Sequence, residues 1–242
     1  MSGVTRTVAR RVDRRIDRAF YTGMAVAVVV AVSVGFAPTY FLRSRFQTTG
    51  LPLYLQVHGL AFSAWVVLFT AQTLLVAARR TDVHRRLGWA GVALAVVMVV
   101  AAAGAAIFSG RRDIGAGQGD AALTFLATPF LSILVFVILV AAAVSFRRRP
   151  ETHKRLMLLA TISILDAAVA RWPFEILSTS DWALYFWTDL LIVGAILYDL
   201  ASRRRVHPAD VVGGVLIVAG QTLRTVLGET DAWHTIARAI LG

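Results

Sequence analysis

The chain contains no cysteine. This absence excludes disulfides, thiolate metal sites, iron–sulfur clusters and a cysteine nucleophile. Charged residues are also scarce, at 16% of the 242 positions, whereas a soluble domain normally carries about 25%. Because 57% of the residues are hydrophobic and the mean hydropathy is +0.69, the composition excludes an ordinary soluble globular fold.

The charge that is present is mostly positive, with 25 Lys and Arg against 14 Asp and Glu and a formal net charge of +11. In a soluble protein this excess would suggest nucleic acid as a partner. Here the basic residues form short blocks between apolar runs, a pattern typical of membrane topology signals and not of phosphate recognition. We therefore expect the lipid bilayer, and no nucleic acid, as a partner.

Long uncharged runs predict an all-α, polytopic transmembrane bundle of seven spans at residues 19–227, because about 20 apolar residues cross the hydrocarbon core. The first run, Ala19 to Leu42, is too long for the apolar core of a signal peptide. The fifth and sixth runs are interrupted by acids, and the seventh is short enough to be re-entrant instead. The remaining spans are predicted within 46–78, 87–110, 121–146, about 154–172, about 182–201 and 208–227.

The distribution of basic residues predicts the orientation of the bundle. In an alternating seven-span arrangement, 18 of the Lys and Arg residues fall on the side of the N-terminus and seven on the other side. Cytoplasmic loops carry the excess of Lys and Arg, so we expect the N-terminus in the cytoplasm and the C-terminus outside.

The segments at the two ends of the chain predict short surface helices. In residues 1–18, Val4, Val8, Val12 and Ile16 recur every four residues among arginines, which favours a cytoplasmic amphipathic helix in the headgroup plane over a solvated basic tail. Residues 228–242 form a second short amphipathic stretch, predicted to lie on the outer face.

Three arginine-rich connections each place a histidine at the start of the following helix, namely His84, His153 and His207. The positive end of a helix favours neutral imidazole, which is the form that binds metals and haem. One hypothesis is therefore a divalent metal or haem b at the cytoplasmic face. The alternative is that these histidines are interfacial and helix-capping residues, since no HxxxH pair supplies two ligands from one helix.

The same loops carry a resemblance to known proteins. The strings HRRLGW at 84–89, HKRLMLLAT at 153–161 and RVHPA at 205–209 are similar to those of a family of uncharacterised bacterial multi-pass inner-membrane proteins of about seven helices. The resemblance covers most of the chain and implies a helical protein of the bacterial inner (cytoplasmic) membrane. It implies no activity. Cytochrome b561-like proteins and seven-helix membrane zinc hydrolases are weaker matches, because their paired histidines are missing.

A polar layer is predicted in the outer half of the bundle, and ionisable groups inside a membrane indicate function by default. His58, Asp166 and Asp189 lie at similar depths, about six or seven residues from the outer ends of their spans. Gln72 shares a helix face with His58 and Trp65, since these positions differ by sevens. The candidate residues for binding a ligand or proton are His58, Asp166, Asp189, Gln72, Gln221 and Arg224.

Three function classes remain open at this point. The first is a transporter-like or sensor-like protein that binds a small ligand, ion or proton in the polar layer. The second is a membrane redox protein or enzyme that uses the cytoplasmic-face histidines. The third is a structural or assembly protein in which Asp166 or Asp189 pairs with Arg224 and Asp199 with Arg203. No catalytic residue and no oligomeric state can be assigned from the sequence.

Overall fold

The computed structural model describes residues 2–178 and 180–242, with the side chains of 2–13, 178 and 181 left out of that description. The described residues form helices and no strand. A π-helical turn at Ala37–Phe41 continues the first helix, and a 3-10 turn lies at Glu175–Ser178. The α-helices are α1 (Ser2–Phe36), α2 (Arg43–Phe46), α3 (Leu53–Ala77), α4 (Thr81–Gly115), α5 (Gly119–Ser145), α6 (Pro150–Ile162), α7 (Asp166–Val169), α8 (Asp181–Arg203), α9 (Pro208–Gly228) and α10 (Asp231–Leu241).

The surface of the bundle is apolar. On α1, Val26, Val30 and Val34 are exposed at a four-residue spacing, while Ala25 and Val28 on the other face are buried. A bundle in water would carry polar side chains on the outer face, so the chain is a multi-pass helical membrane protein. Within the described residues six helices are long and apolar enough to cross a membrane, namely Arg14–Phe41, Leu53–Ala77, Thr81–Gly115, Gly119–Ser145, Trp182–Arg203 and Pro208–Gly228.

The segment predicted as the fifth span is not a continuous helix. It consists of α6, a break at 163–165, and the single turn of α7. At the break, the hydroxyl of Ser163 donates to the carbonyl of Ala160 at 2.8 Å, which competes with regular helical bonding. Leu159, Ala160 and Ile162 are fully buried. A broken helix is tolerated at membrane depth only where protein surrounds it, and the bundle interior meets that condition.

The α6–α7 segment runs beside α9. Arg155 near the start of α6 contacts Asp210 near the start of α9, and Asp166 in α7 contacts Arg224 near the end of α9. The two α9 residues are separated by about 21 Å along the helix at 1.5 Å per residue. We call the end with the loops at 79–86, 147–155 and 203–207 the arginine-rich end, and the end with the loops at 42–52 and 111–118 the opposite end.

Both terminal segments are helical. The predicted amphipathic segment 1–18 is the first half of the continuous helix α1, but the side chains that define its stripe lie mostly outside the described residues. In the predicted tail 228–242, α10 covers the opposite end of α4 and α5. Trp233 and Leu241 are buried there, and the indole nitrogen of Trp233 donates to the carbonyl of Leu123 at 2.9 Å.

A glycine permits the close approach of α1 to α7. A Cβ atom at Gly35 would collide with the main-chain carbonyl of Ala168. Gly23, on the same helix, has nothing within 4 Å of the corresponding position. The packing of α1 on the α6–α7 segment therefore requires a residue without a side chain at position 35.

We expect Gly35→Ala to destabilise the protein by about 1–3 kcal/mol, the usual range for overpacking, because the main chain of α7 must move. Gly23→Ala is the matched control and leaves stability unchanged or slightly raised, since alanine favours a helix. The measurement is the midpoint of thermal denaturation in detergent. Equal midpoints for the two variants would contradict the close contact.

Candidate functional site

An ion pair is buried where α7 meets α9. Asp166 is the first residue of α7, and its Oδ2 atom contacts the guanidinium of Arg224. Only 8% of Asp166 and 4% of Arg224 are exposed. A buried charge is costly unless it is paired, so the contact holds the α6–α7 segment against α9. The predicted pairing of Asp166 with Arg224 is confirmed.

Arg224 also binds two further helices. Its Nε atom donates to the hydroxyl of Tyr185 on α8 at 3.0 Å, and its Nη1 atom donates to the hydroxyl of Ser132 on α5 at 2.6 Å. The guanidinium carbon lies 4.5 Å from the centroid of the Tyr185 ring. One side chain therefore connects α5, α7, α8 and α9.

The second predicted carboxylate, Asp189, is linked to this region of α9 by a hydrogen bond with Gln221. The Gln221 amide nitrogen donates to Oδ1 of Asp189 at 3.1 Å and to the hydroxyl of Thr188 at 3.4 Å. Gln221 and Arg224 are three residues apart and share one face of α9. We call Asp166, Asp189, Gln221 and Arg224 the acid–arginine cluster.

A small cavity borders this cluster. Its volume is about 10 Å³, on the order of one water molecule. The Oδ1 atom of Asp166 is buried and has no hydrogen-bond partner. A proton, a cation or a water molecule would satisfy such an oxygen. Polar groups reach the cavity from α5, the α6–α7 break, α7 and α9, through Ser132, Ser163, Asp166, Gln221 and Arg224.

His58, the third member of the predicted layer, lies apart from the cluster. Among the described contacts no hydrogen bond or ion pair joins it to Asp166 or Asp189. Its ring stacks on Phe62, with centroids 4.2 Å apart, and its Nδ1 atom is buried without a partner. The predicted stripe on α3 does face inwards at its centre, where Trp65 is 2% exposed and donates to Thr161 at 3.3 Å.

Gln72, at the other end of that stripe, lies near His84, one of the three candidate histidines. The rings of His84 and His153 meet edge to face, with centroids 6.3 Å apart. The side-chain amide of Gln72 lies against Gly88, one turn after His84 on α4. Gln72 therefore belongs to the arginine-rich end and not to the acid–arginine cluster.

The third candidate histidine, His207, has a different role. Its Nδ1 atom accepts a hydrogen bond from the main chain of Ala209 at 3.1 Å and so caps the N-terminus of α9. Burial lowers the pKa of His207, and the nearby charge of Arg155 lowers it further, which keeps the cap neutral. Across the described residues, no group of three His, Asp or Glu side chains is arranged to hold a metal ion.

The sequence analysis missed a buried network around Arg155. Only 1% of Arg155 is exposed, and its guanidinium contacts Asp199 at the end of α8 and Asp210 at the start of α9, the latter at 2.8 Å. Glu151, one turn earlier on α6, accepts from it at 3.0 Å. In the sequence this arginine looks like one more basic loop residue. The sequence signal for this network is the pair of acids, Asp199 and Asp210, on either side of the 203–207 loop.

An outer set of charges surrounds this network. Asp17 on α1 accepts from Lys154 at 2.8 Å and from Arg203 at 3.0 Å, and it also accepts from the hydroxyl of Tyr198. The predicted pair of Asp199 with Arg203 is present at 3.5 Å. The ion pairs therefore join α1, α6, α8 and α9 at the arginine-rich end.

Comparison of the chain with protein-family models, with curated proteins and with solved structures finds no match.

We expect Arg224→Gln to destabilise the protein by about 3–5 kcal/mol, because it leaves the Asp166 carboxylate buried without its counter-charge. Adding Asp166→Asn should recover much of this loss, since the double variant carries neither charge. Arg238→Gln is the control: Arg238 forms an exposed pair with Asp120, worth about 0–1 kcal/mol. The measurement is the denaturation midpoint in detergent, and equal losses for Arg224→Gln and Arg238→Gln would contradict the role of the buried pair.

Proposed function

We propose that the chain crosses the bacterial inner membrane seven times, with a cytoplasmic N-terminus and the C-terminus outside. The 18-to-7 distribution of basic residues supports this orientation. In this proposal the α6–α7 segment supplies the seventh crossing, which is supported by its two charged contacts with α9, about 21 Å apart along that helix. The arginine-rich end is then cytoplasmic, and the acid–arginine cluster lies in the outer half.

We further propose that the acid–arginine cluster binds a proton or a small cation, and that the protein is transporter-like or sensor-like. The observation that carries this proposal is the charge balance of the cluster. Asp166 and Asp189 supply two carboxylates, whereas Arg224 supplies one guanidinium. An excess negative charge at membrane depth is costly, and a bound proton or cation removes it.

The surroundings of the cluster support reversible binding. Asp166 lines the small cavity and has an unpartnered Oδ1 atom, and Asp189 is half-buried. The helix break at 163–165 directly precedes Asp166. Transporters commonly build their ion sites at interrupted helices near the middle of the membrane, where main-chain groups and charged side chains meet.

The absence of cysteine permits a clean test of topology. We expect Ala116→Cys and Ala239→Cys, both exposed at the opposite end, to react with a membrane-impermeant maleimide in intact spheroplasts. Thr81→Cys at the arginine-rich end should react only after permeabilisation. If Ala239→Cys and Thr81→Cys label from the same side, the seven-crossing proposal is wrong. If Thr81→Cys alone labels in intact spheroplasts, the orientation is reversed.

Infrared difference spectroscopy on the purified protein tests ion binding. As the pH or the sodium concentration is changed, we expect the carbonyl stretching band of one buried carboxyl group to appear or disappear. Asp166→Asn or Asp189→Asn should abolish this change, because each removes the excess charge. Proton or sodium flux into proteoliposomes then distinguishes a transporter-like from a sensor-like protein.

Asp120→Asn is the matched control for this experiment, because the Asp120 side chain is 77% exposed and lies outside the cluster. It should leave the carboxyl band intact. A band that survives unchanged in Asp166→Asn and in Asp189→Asn would contradict the proposal. The cluster would then be a set of interhelical contacts, as in a structural or assembly protein.

A further inference from the structure

Two histidines from different helices converge at the arginine-rich end, away from the acid–arginine cluster. His84 lies in the first turn of α4 and His153 in the first turn of α6, and their ring centroids are 6.3 Å apart. Both rings are half-buried. The ion-binding function proposed above uses neither of them.

His153 is held in the manner of a metal ligand. Its Nδ1 atom lies 2.8 Å from the main-chain carbonyl of Ala143. A carbonyl oxygen only accepts hydrogen bonds, so Nδ1 carries a proton, and Nε2 has a free lone pair when the ring is neutral. Metal-binding histidines almost always donate their other ring N–H to a carbonyl or carboxylate, which fixes the ring and raises its basicity.

Two further polar atoms at this end of the bundle are buried and unsatisfied. They are Nδ1 of His84 and the amide oxygen Oε1 of Gln72. A buried polar atom without a partner costs on the order of 1–3 kcal/mol, so such an atom in a native structure calls for an explanation. Nδ1 has a free lone pair when the neutral imidazole carries its proton on Nε2, and the amide oxygen always has one, so each atom can bind a cation.

The distance between the rings suits one shared ion. With a metal–nitrogen bond of about 2.0 Å, two imidazoles on the same ion have ring centroids about 4.5 Å apart when the bonds are perpendicular and about 6.3 Å apart when they are collinear. The observed separation of 6.3 Å therefore corresponds to a nearly linear nitrogen–metal–nitrogen arrangement, with the two rings on opposite sides of the ion. Gln72 lies on a third helix, α3, with its amide group beside Gly88 one turn after His84, so its amide oxygen is the third candidate ligand.

From this geometry we infer that His84, His153 and Gln72 form a binding site for a late first-row transition-metal ion. Imidazole nitrogen suits copper and zinc, and copper binds more tightly in the Irving–Williams order. The nearby carboxylates are already paired, Asp82 with Arg80 and Glu151 with Lys154. Copper, which is held by few nitrogen ligands, therefore fits this site better than a hard ion such as magnesium, which needs several oxygens.

The test uses the full chain without an affinity tag, purified in detergent, stripped with a chelator and loaded with copper or zinc. We expect one copper ion per chain after removal of the excess, and weaker retention of zinc against a competing chelating dye. Electron paramagnetic resonance of the copper(II) form should show coupling to imidazole nitrogen. His84→Asn and His153→Asn should each weaken copper binding at least tenfold and reduce this coupling.

His207→Asn is the matched control. Asparagine is a favoured N-cap, so this variant keeps the cap of α9 while removing the third histidine of the arginine-rich end. We expect its copper affinity to equal that of the unsubstituted protein. Gln72→Leu should weaken binding less than either substitution of His84 or His153. Unchanged far-UV circular dichroism and size-exclusion profiles show that each variant is folded. If His153→Asn does not fold, the copper affinity of His84→Asn alone tests the site.

Three outcomes overturn the inference. They are no copper retained by the unsubstituted chain, copper retained equally by His84→Asn, and copper lost in His207→Asn. The result is independent of the acid–arginine cluster, because Asp166→Asn should keep its copper. If the unsubstituted protein binds copper but shows no infrared carboxyl change, the proposed ion-binding function is wrong and the copper site stands. If it shows the carboxyl change but binds no copper, the copper site is wrong and the ion-binding function stands.

Discussion

The pairing of buried charges along the α6–α7 segment is the constraint on which this bundle depends. A guanidinium or carboxylate buried inside the bundle has no water to solvate it, so each needs a partner within the protein. Arg155 forms ion pairs with Asp199 and Asp210, and Asp166 forms one with Arg224. These pairs hold a broken helix among α1, α5, α8 and α9, where its interrupted main chain is shielded from lipid.

The two ion-paired regions lie at different ends of the segment and differ in character. Around Arg155 the guanidinium is shared among acids of α6, α8 and α9, and further acid–base pairs link α1. Around Arg224 there are fewer charges, a small cavity and an unpartnered oxygen of Asp166. The first arrangement suits a fixed structural link, and the second leaves room for a proton or a small cation. The His84–His153 pair shares the arginine-rich end with the first network but none of its ion pairs.

Part of the candidate site follows from the sequence. Counting residues from the span ends places Asp166 and Asp189 at one depth, and the structure brings both to α9 through Arg224 and Gln221. The same count includes His58, which instead stacks on Phe62. Depth counting gives the height of a residue along the membrane normal. It does not give the rotation of its helix, and rotation decides which residues at one height meet.

The sequence by itself determined that this is a helical membrane protein and where six of its apolar helices lie, because hydropathy and run length are local properties of the chain. Only the tertiary structure decided that the fifth predicted span is broken at 163–165, that Arg155 is buried, and that His153 meets His84 while His207 caps α9. Each of these depends on partners from distant segments. Arg155 resembles the other basic loop residues until α8 and α9 bring Asp199 and Asp210 to it, because the free energy of a buried charge is set by the groups that surround it.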